Sequence, residues 1–256
     1  MNQLQSATAK TIVILGASNV ALSWHQLSRI LRQQYQSPLH VLTAHGMGRS
    51  YVAQSRFGWR TTPGILESGL WQQLDTNELN PPSAVLITDL GNDLVYGRSA
   101  ATLLIAVREI IARIRNLQSD CEIVVTRPPV SSIESLSAFR YRLFRTMIFP
   151  FCDLSLQQAT DATRQLAVGV AELDGVTTVS PRREWFGLDP IHIRRKFRTA
   201  AFESFLSSWP TGTTPQEESS KRPQQRPRMH KCHIFGRERI VEQPAVTAQD
   251  WQVSAW

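Results

Sequence analysis

Short aliphatic, β-branched runs alternate along this chain with longer stretches in which apolar residues recur every three or four positions. The first run is "TIVIL", 11–15. Central strands of a parallel sheet are covered on both faces and read in this way, as near-continuous apolar runs. The stretch 20–35 then sets Val20, Leu27, Ile30 and Leu31 at helical spacing. "HVLTA", 40–44, "AVLITDL", 84–90, and "EIVVT", 122–126, predict three further strands, and "VTTVS", 176–180, predicts a short fifth. Helical segments separate them. One is opened by Pro63, one covers 99–117, two cover 133–149 and 154–173 with an interruption at Pro150, and the last covers about 193–208.

Strands that alternate with helices predict an α/β fold in which helices cover both faces of about five parallel strands, a three-layer α/β/α sandwich. This pattern fills one domain, 10–209. After Trp209 the chain turns to "PTGTTPQEESSKRPQQRPRMHKCH", rich in Pro, Gln, Ser and charge. Residues 210–256 are therefore expected to be a polar, disordered or loosely attached tail. Within it "GRERIV" is a candidate short element, and Trp251 and Trp256 are candidates for docking at a place the sequence does not specify.

Composition narrows the function classes. A chain of 256 residues with 42% hydrophobic content is long enough for a well-buried core. No apolar run approaches the ~18 residues of a membrane span. The N-terminus "MNQLQSATAK" has no basic start followed by an apolar core, so no secretory signal is expected and the expected compartment is cytoplasmic. Cys121, Cys152 and Cys232 lie far apart and in odd number. That is neither a disulfide framework nor a zinc pattern, which fits a reducing compartment. Net charge is +7, from 28 Lys+Arg against 21 Asp+Glu. It permits weak attraction to anions and does not announce a nucleic-acid partner.

Ligand sites of open parallel sheets lie beyond the carboxyl ends of the strands. Strand one is followed by Gly16-Ala17-Ser18-Asn19, strand two by His45-Gly46-Met47-Gly48-Arg49-Ser50, strand three by Gly91-Asn92-Asp93, and strand five by a loop with Asp189-Pro190-Ile191-His192. Together they bring a hydroxyl, backbone amides, a side-chain amide, an imidazole and a carboxylate to one edge, which is the inventory for acyl transfer. A serine hydroxyl needs an adjacent base, and His192 is the candidate. The imidazole needs its tautomer fixed, and Asp189 is three residues away. The tetrahedral oxyanion needs donors: the backbone N–H of Ser18, the backbone N–H of Gly46 and the side-chain amide of Asn92.

With these residues in view, the chain resembles the SGNH hydrolases, the GDSL esterase/lipase superfamily. "LGASN" resembles its first block and implies Ser18 as nucleophile. "AHGMGRSY" resembles the second and implies Gly46 as an oxyanion donor, with Gly48 as its competitor. "DLGND" resembles the third and implies Asn92, and "DPIH" the fourth, implying His192 as base with Asp189 orienting it. The resemblance spans about 10–209 and implies a flavodoxin-like sandwich, hydrolysis of a small-molecule carboxylic ester through an acyl-enzyme on Ser18, no metal and no cofactor. Three departures stand out: Ala17 where the family has Asp, Leu90 where it has Gly, and "GMGRS" in the second block. Acyl transfer or thioester hydrolysis would use the same residues, and a non-catalytic anion-binding protein on this scaffold is the reading from another class.

Several polar residues outside these blocks read as structural. His45 adjoins the oxyanion loop and is expected to be structural, and Asp93 is expected to bond nearby loop amides. Asp89 is assigned no catalytic part. "HKCH" in the tail has poor zinc spacing. Arg194, Arg195 and Arg198 are expected on a solvated face. "SAFRYRLFRTMIFPF", 137–151, reads first as a core helix with snorkelling arginines. It is also a candidate lid over an acyl pocket or a membrane-surface patch, and the first candidate for substrate contact outside the blocks.

Overall fold

The computed structural model describes residues 9–35, 38–57, 60–76, 79–149, 152–210, 231–234, 237–240, 246–248 and 251–256. In chain order the elements are β1 (Lys10–Leu15), α1 (Ser18–Gln34), β2 (Leu39–Ala44), β3 (Ser55–Phe57), β4 (Arg60–Thr62), α2 (Leu70–Asp75), β5 (Pro82–Ile87), α3 (Asn92–Val95) and α4 (Ala100–Leu117). Then come β6 (Glu122–Thr126), α5 (Val130–Glu134), α6 (Ala138–Ile148), α7 (Leu156–Ala171), β7 (Thr177–Val179), α8 (Arg198–Phe205), β8 (Lys231–Ile234), β9 (Arg237–Ile240), β10 (Val246–Ala248) and β11 (Trp251–Ala255).

The main sheet has the order β10-β11-β2-β1-β5-β6-β7. All its strands run parallel except β10, which pairs antiparallel with β11. The five strands anticipated from the hydrophobic runs are β2-β1-β5-β6-β7, the flavodoxin-like order. Alternate residues feed two cores. Ile12 and Ile14 of β1 and Leu86 of β5 pack with Leu27, Leu31 and Trp24 of α1 and with Phe202 and Phe205 of α8. Val13, Leu15, Val85 and Ile87 pack on the other face with α2, α4 and α7, through Leu70, Leu103, Ile110 and Leu166. The sandwich therefore has three layers, and both faces of each central strand are buried, as its sequence requires.

Four differences from the sequence reading have physical causes. The third strand ends at Ile87 rather than at residue 90, because Asp89 turns into a left-handed conformation with φ 63°. The helix expected over 133–149 is two helices, since Ser137 caps α6 by accepting the Arg140 N–H. The polar loop 45–62 contains the hairpin β3–β4. The last helical segment begins as a 3-10 turn, Arg195–Phe197, before α8.

The expected loose tail is corrected at its far end. β11 pairs parallel with β2, Trp251 opposite Leu39 through Ala255 opposite Thr43, and the Trp256 N–H donates to the Thr43 carbonyl at 3.0 Å. Trp251, Val253, Ala255 and Trp256 are all buried. Trp251 and Val253 join the core on the α1 face and Trp256 the core on the opposite face. A six-residue segment with a tryptophan at each end buries enough apolar surface to hold a strand beside β2 against the entropy of ordering it. The candidate element "GRERIV" contains β9, which pairs with β8, and β8 pairs with β4. The polar stretch 211–230 lies outside the described residues.

Candidate active site

Ser18 is the first residue of α1, immediately after the turn that leaves β1. That turn is tight for a reason the sequence carries. A Cβ on Gly16 would stand 2.5 Å from Val20 Cγ2 and 2.9 Å from Thr88 Cγ2, so only glycine lets α1 approach the sheet so closely. Ala17 is fully buried and gives the helix no side-chain cap.

The cap comes from another strand. Asp89, at the end of β5, accepts the N–H groups of Ala17 and Asn19 on Oδ2, both at 2.9 Å, and the Asn19 side-chain amide on Oδ1 at 2.8 Å. A carboxylate at a helix N-terminus satisfies otherwise orphaned donors and complements the helix dipole. The Ser18 turn has no acid of its own at position 17; Asp89 supplies one from the loop that follows the neighbouring strand β5.

Asn19 links the same turn to the fourth block. Its Nδ2 donates to the Ile191 carbonyl at 2.9 Å, and its Oδ1 accepts the Ile193 N–H at 2.8 Å. The two bonds bracket His192. Ser18 Oγ lies 2.9 Å from His192 Nε2, and His192 Nδ1 lies 2.6 Å from Asp189 Oδ2. An ionised carboxylate only accepts, so Nδ1 carries the ring proton and Nε2 is left to accept from the serine hydroxyl. Asp189 Oδ1 also accepts the N–H groups of Ile191 and His192, at 3.0 and 3.1 Å. Burial pushes the Asp189 carboxyl up, but the His192 hydrogen bond, the imidazole charge and the two N–H bonds outweigh it and hold the group below its ordinary value.

The second and third blocks meet through Asp93. Its carboxylate accepts the Ser50 hydroxyl, and the Tyr51 and Val52 N–H groups at 2.9 and 3.3 Å. Burial pushes this carboxyl up, against the pull of those three bonds. Asp93 is thus the loop anchor expected of it. The Asn92 side-chain amide donates to the Arg49 carbonyl at 3.3 Å. Tyr51 places its hydroxyl between the ends of β1 and β5, within reach of the Leu15 and Thr88 carbonyls at 3.0 and 2.6 Å. His45 stacks on Trp24, with ring centroids 5.2 Å apart, and its Nδ1 lies 2.7 Å from Thr43 Oγ1. Burial, with the nearby Arg49 charge, pushes its imidazole down to about 3, so it stays neutral.

A cavity of about 130 Å3 opens beside Ser18. Asn92 and Ser18 both line it, while Gly46 and Gly48 do not. Of the expected oxyanion donors, two therefore share the cavity, and the Asn92 amide reaches the second block at Arg49, the residue after Gly48. The rest of the wall is largely apolar and includes Leu94, Pro129, Ile133, Phe144, Ile148 and Phe186. The segment 137–151 was the first candidate for substrate contact, and five of its residues, Tyr141, Phe144, Arg145, Ile148 and Phe149, line the cavity. Its α6 contains no buried residue, so the core-helix reading does not hold. Among the described residues no group of three or more His, Cys, Asp or Glu is placed to hold a metal ion, and no helix is long and apolar enough to cross a membrane.

Asp89, Asn19 and Tyr51 were given no part in the site, although each lies inside one of the quoted blocks, "DLGND", "LGASN" and "AHGMGRSY".

No family model matches the chain, and no curated protein matches it. Solved structures do. The chain is similar to an acetyl esterase variant with bound acetate, at 10% identity and TM-score 0.44, over 76% of this chain and 93% of that one. It is similar to a psychrotrophic esterase from a Pseudoalteromonas species, at 14% identity and TM-score 0.45, over 78% and 96%. It is also similar to a protein from Parabacteroides merdae described as a GDSL-like lipase, at 11% identity and TM-score 0.46, over 80% and 98%. The functional reading below rests on the side chains of this chain, not on those likenesses.

Proposed function

We propose that this chain is a serine hydrolase that cleaves a carboxylic ester through an acyl-enzyme on Ser18. The observation that carries the reading is the hydrogen-bonded chain Ser18–His192–Asp189, at 2.9 and 2.6 Å. His192 Nε2 takes the Ser18 proton as Oγ attacks the acyl carbon, and the carbonyl π electrons move to oxygen. The backbone N–H of Ser18 and the Asn92 side-chain amide, which both line the cavity, stabilise that oxyanion. The intermediate collapses, the ester C–O bond breaks, and the alcohol leaves with the proton from His192. Water then attacks the acyl-enzyme, His192 takes its proton and returns it to Ser18, and the acid departs. Asp189 keeps the ring in the tautomer this cycle needs and stabilises the imidazolium.

The apolar walls favour an acyl group without charge. On the measure by which an apolar cavity of about 150 Å3 accepts benzene, the space beside Ser18 suits a chain of about six carbons.

Labelling with a fluorophosphonate probe tests the reading. Wild type is expected to label covalently, and folded Ser18→Ala and His192→Ala variants are expected not to. Labelling of Ser18→Ala, or none of folded wild type, would remove Ser18 as nucleophile.

A further inference from the structure

The helix that roofs the cavity carries a second apolar face. At about 100° per residue, Phe139, Leu143 and Met147 of α6 fall within about 80° of one another. They are 77%, 48% and 74% exposed. Phe144, Ile148, Tyr141 and Arg145 lie on the other side and line the cavity. A folded domain gains nothing by leaving such a stripe in water. Leu188, 79% exposed, extends it, because Arg140 bridges α6 to the 187–188 turn by donating to both carbonyls, at 3.2 and 2.9 Å.

The charge around the stripe has one sign. Arg140 flanks it on one side and Arg142 on the other, Arg145 follows, and no acidic residue occurs between Ser135 and Cys152. Of the nearest acids, Glu134 is paired with Arg164 and Asp189 is tied to His192, which leaves Asp153, exposed beyond the end of the segment, against the three arginines. An amphipathic helix with Phe, Leu and Met outward and arginines along its edges matches an anionic lipid interface, where the apolar side chains enter the acyl boundary and the guanidinium groups meet phosphates.

We propose that α6 and the adjoining Leu188 turn dock this protein onto the surface of an anionic phospholipid bilayer. The cavity that begins at Ser18 lies directly behind the docked helix, so the surface presents esters dissolved in lipid to the nucleophile. The docking goes beyond the ester-hydrolase reading and is tested without it.

The test is co-sedimentation of the full chain carrying Ser18→Ala, so that no lipid is consumed. One set of vesicles is phosphatidylcholine alone and the other equal parts phosphatidylcholine and phosphatidylglycerol. Binding to the mixed vesicles is expected to exceed that to neutral ones by ~10-fold or more. Phe139→Ser/Leu143→Ser/Met147→Ser is expected to lose ~10-fold or more of it, with its melting temperature unchanged. Arg142→Gln is expected to weaken binding to mixed vesicles only. No binding by the parent, equal binding to both vesicle types, or undiminished binding by the triple variant overturns the proposal. So does a dimer in solution that the triple variant dissolves, since the stripe would then be covered by a second copy. Fluorophosphonate labelling of Ser18 stands or falls separately, so failure of docking and failure of the hydrolase reading are told apart.

Discussion

The turn around Ser18 and the helix α6 face the same cavity and are built in opposite ways. At the Ser18 turn the neighbours are fixed from several directions: Gly16 against Val20 and Thr88, Asp89 on two helix N–H groups, Asn19 bracketing His192. α6 buries no residue and is held by bonds near its ends, such as the Tyr141 hydroxyl donating to the Leu154 carbonyl at 2.7 Å. The comparison teaches a division of labour. Groups that exchange a proton must keep their geometry, because a displacement of about 1 Å can cost ~10² in rate. On the hydrolase reading proposed above, a wall that receives variable acyl chains works better on an element whose opening costs little stability.

The largest effect is expected at the orienting carboxylate. Asp189→Asn leaves the imidazole tautomer unfixed and should lower kcat by ~10²–10⁴ with little change in KM. Its pH signature sharpens the point. The folded Asp189 carboxyl lies below its ordinary value, so it stabilises the fold above the unfolded value of about 3.9 and loses that stabilisation as pH falls through the folded value. The difference in melting temperature between wild type and Asp189→Asn should close as pH falls below that unfolded value and through the folded one. A difference that persists at the acid end would contradict the arrangement.

Next comes the transferred cap. Asp89→Ala orphans the N–H groups of Ala17 and Asn19 and should cost about 1–3 kcal/mol in chemical denaturation, together with a fall of ~10–10² in kcat. Asp89→Asn keeps one acceptor oxygen and tolerates the left-handed backbone, so it should fall between wild type and Ala. If Asp89→Ala retained full kcat, the Ser18 turn would be no more fixed than α6, and the contrast would fail.

The smallest effect is expected on α6. Phe144→Ala should change unfolding free energy by less than about 1 kcal/mol, since Phe144 is only half-buried. It should shift preference toward longer acyl chains by ~10-fold in kcat/KM, measured across a series of esters of rising chain length. A large loss of stability would show that α6 is a core element after all.

These residues also mark how far the sequence could be read. Ser18, Asn92, Asp189 and His192 were legible because each follows an apolar run, and in a parallel sheet the ends of such runs face one edge. Gly46 was drawn from the same logic, yet it does not line the cavity, because backbone direction within a glycine-bearing loop leaves no trace in residue type. α6 was misread as core because its apolar residues point both ways, and periodicity alone does not say which face meets the protein. The tail was misread because its polar composition outweighed six terminal residues whose partner strand lies some two hundred positions earlier.

The sequence by itself determined five parallel strands, the flavodoxin-like sandwich and the loops on which Ser18, His192 and Asp189 sit, since these follow from local hydrophobic runs and the small, polar residues that end them. Only the tertiary structure decided that Asp89 provides the acid missing at Ala17, that Asn19 fastens the histidine loop, that β11 completes the sheet beside β2, and that α6 offers one face to the cavity and the other to solvent. Each of these depends on a contact between residues far apart in the chain, and such contacts are set by packing rather than by any local pattern.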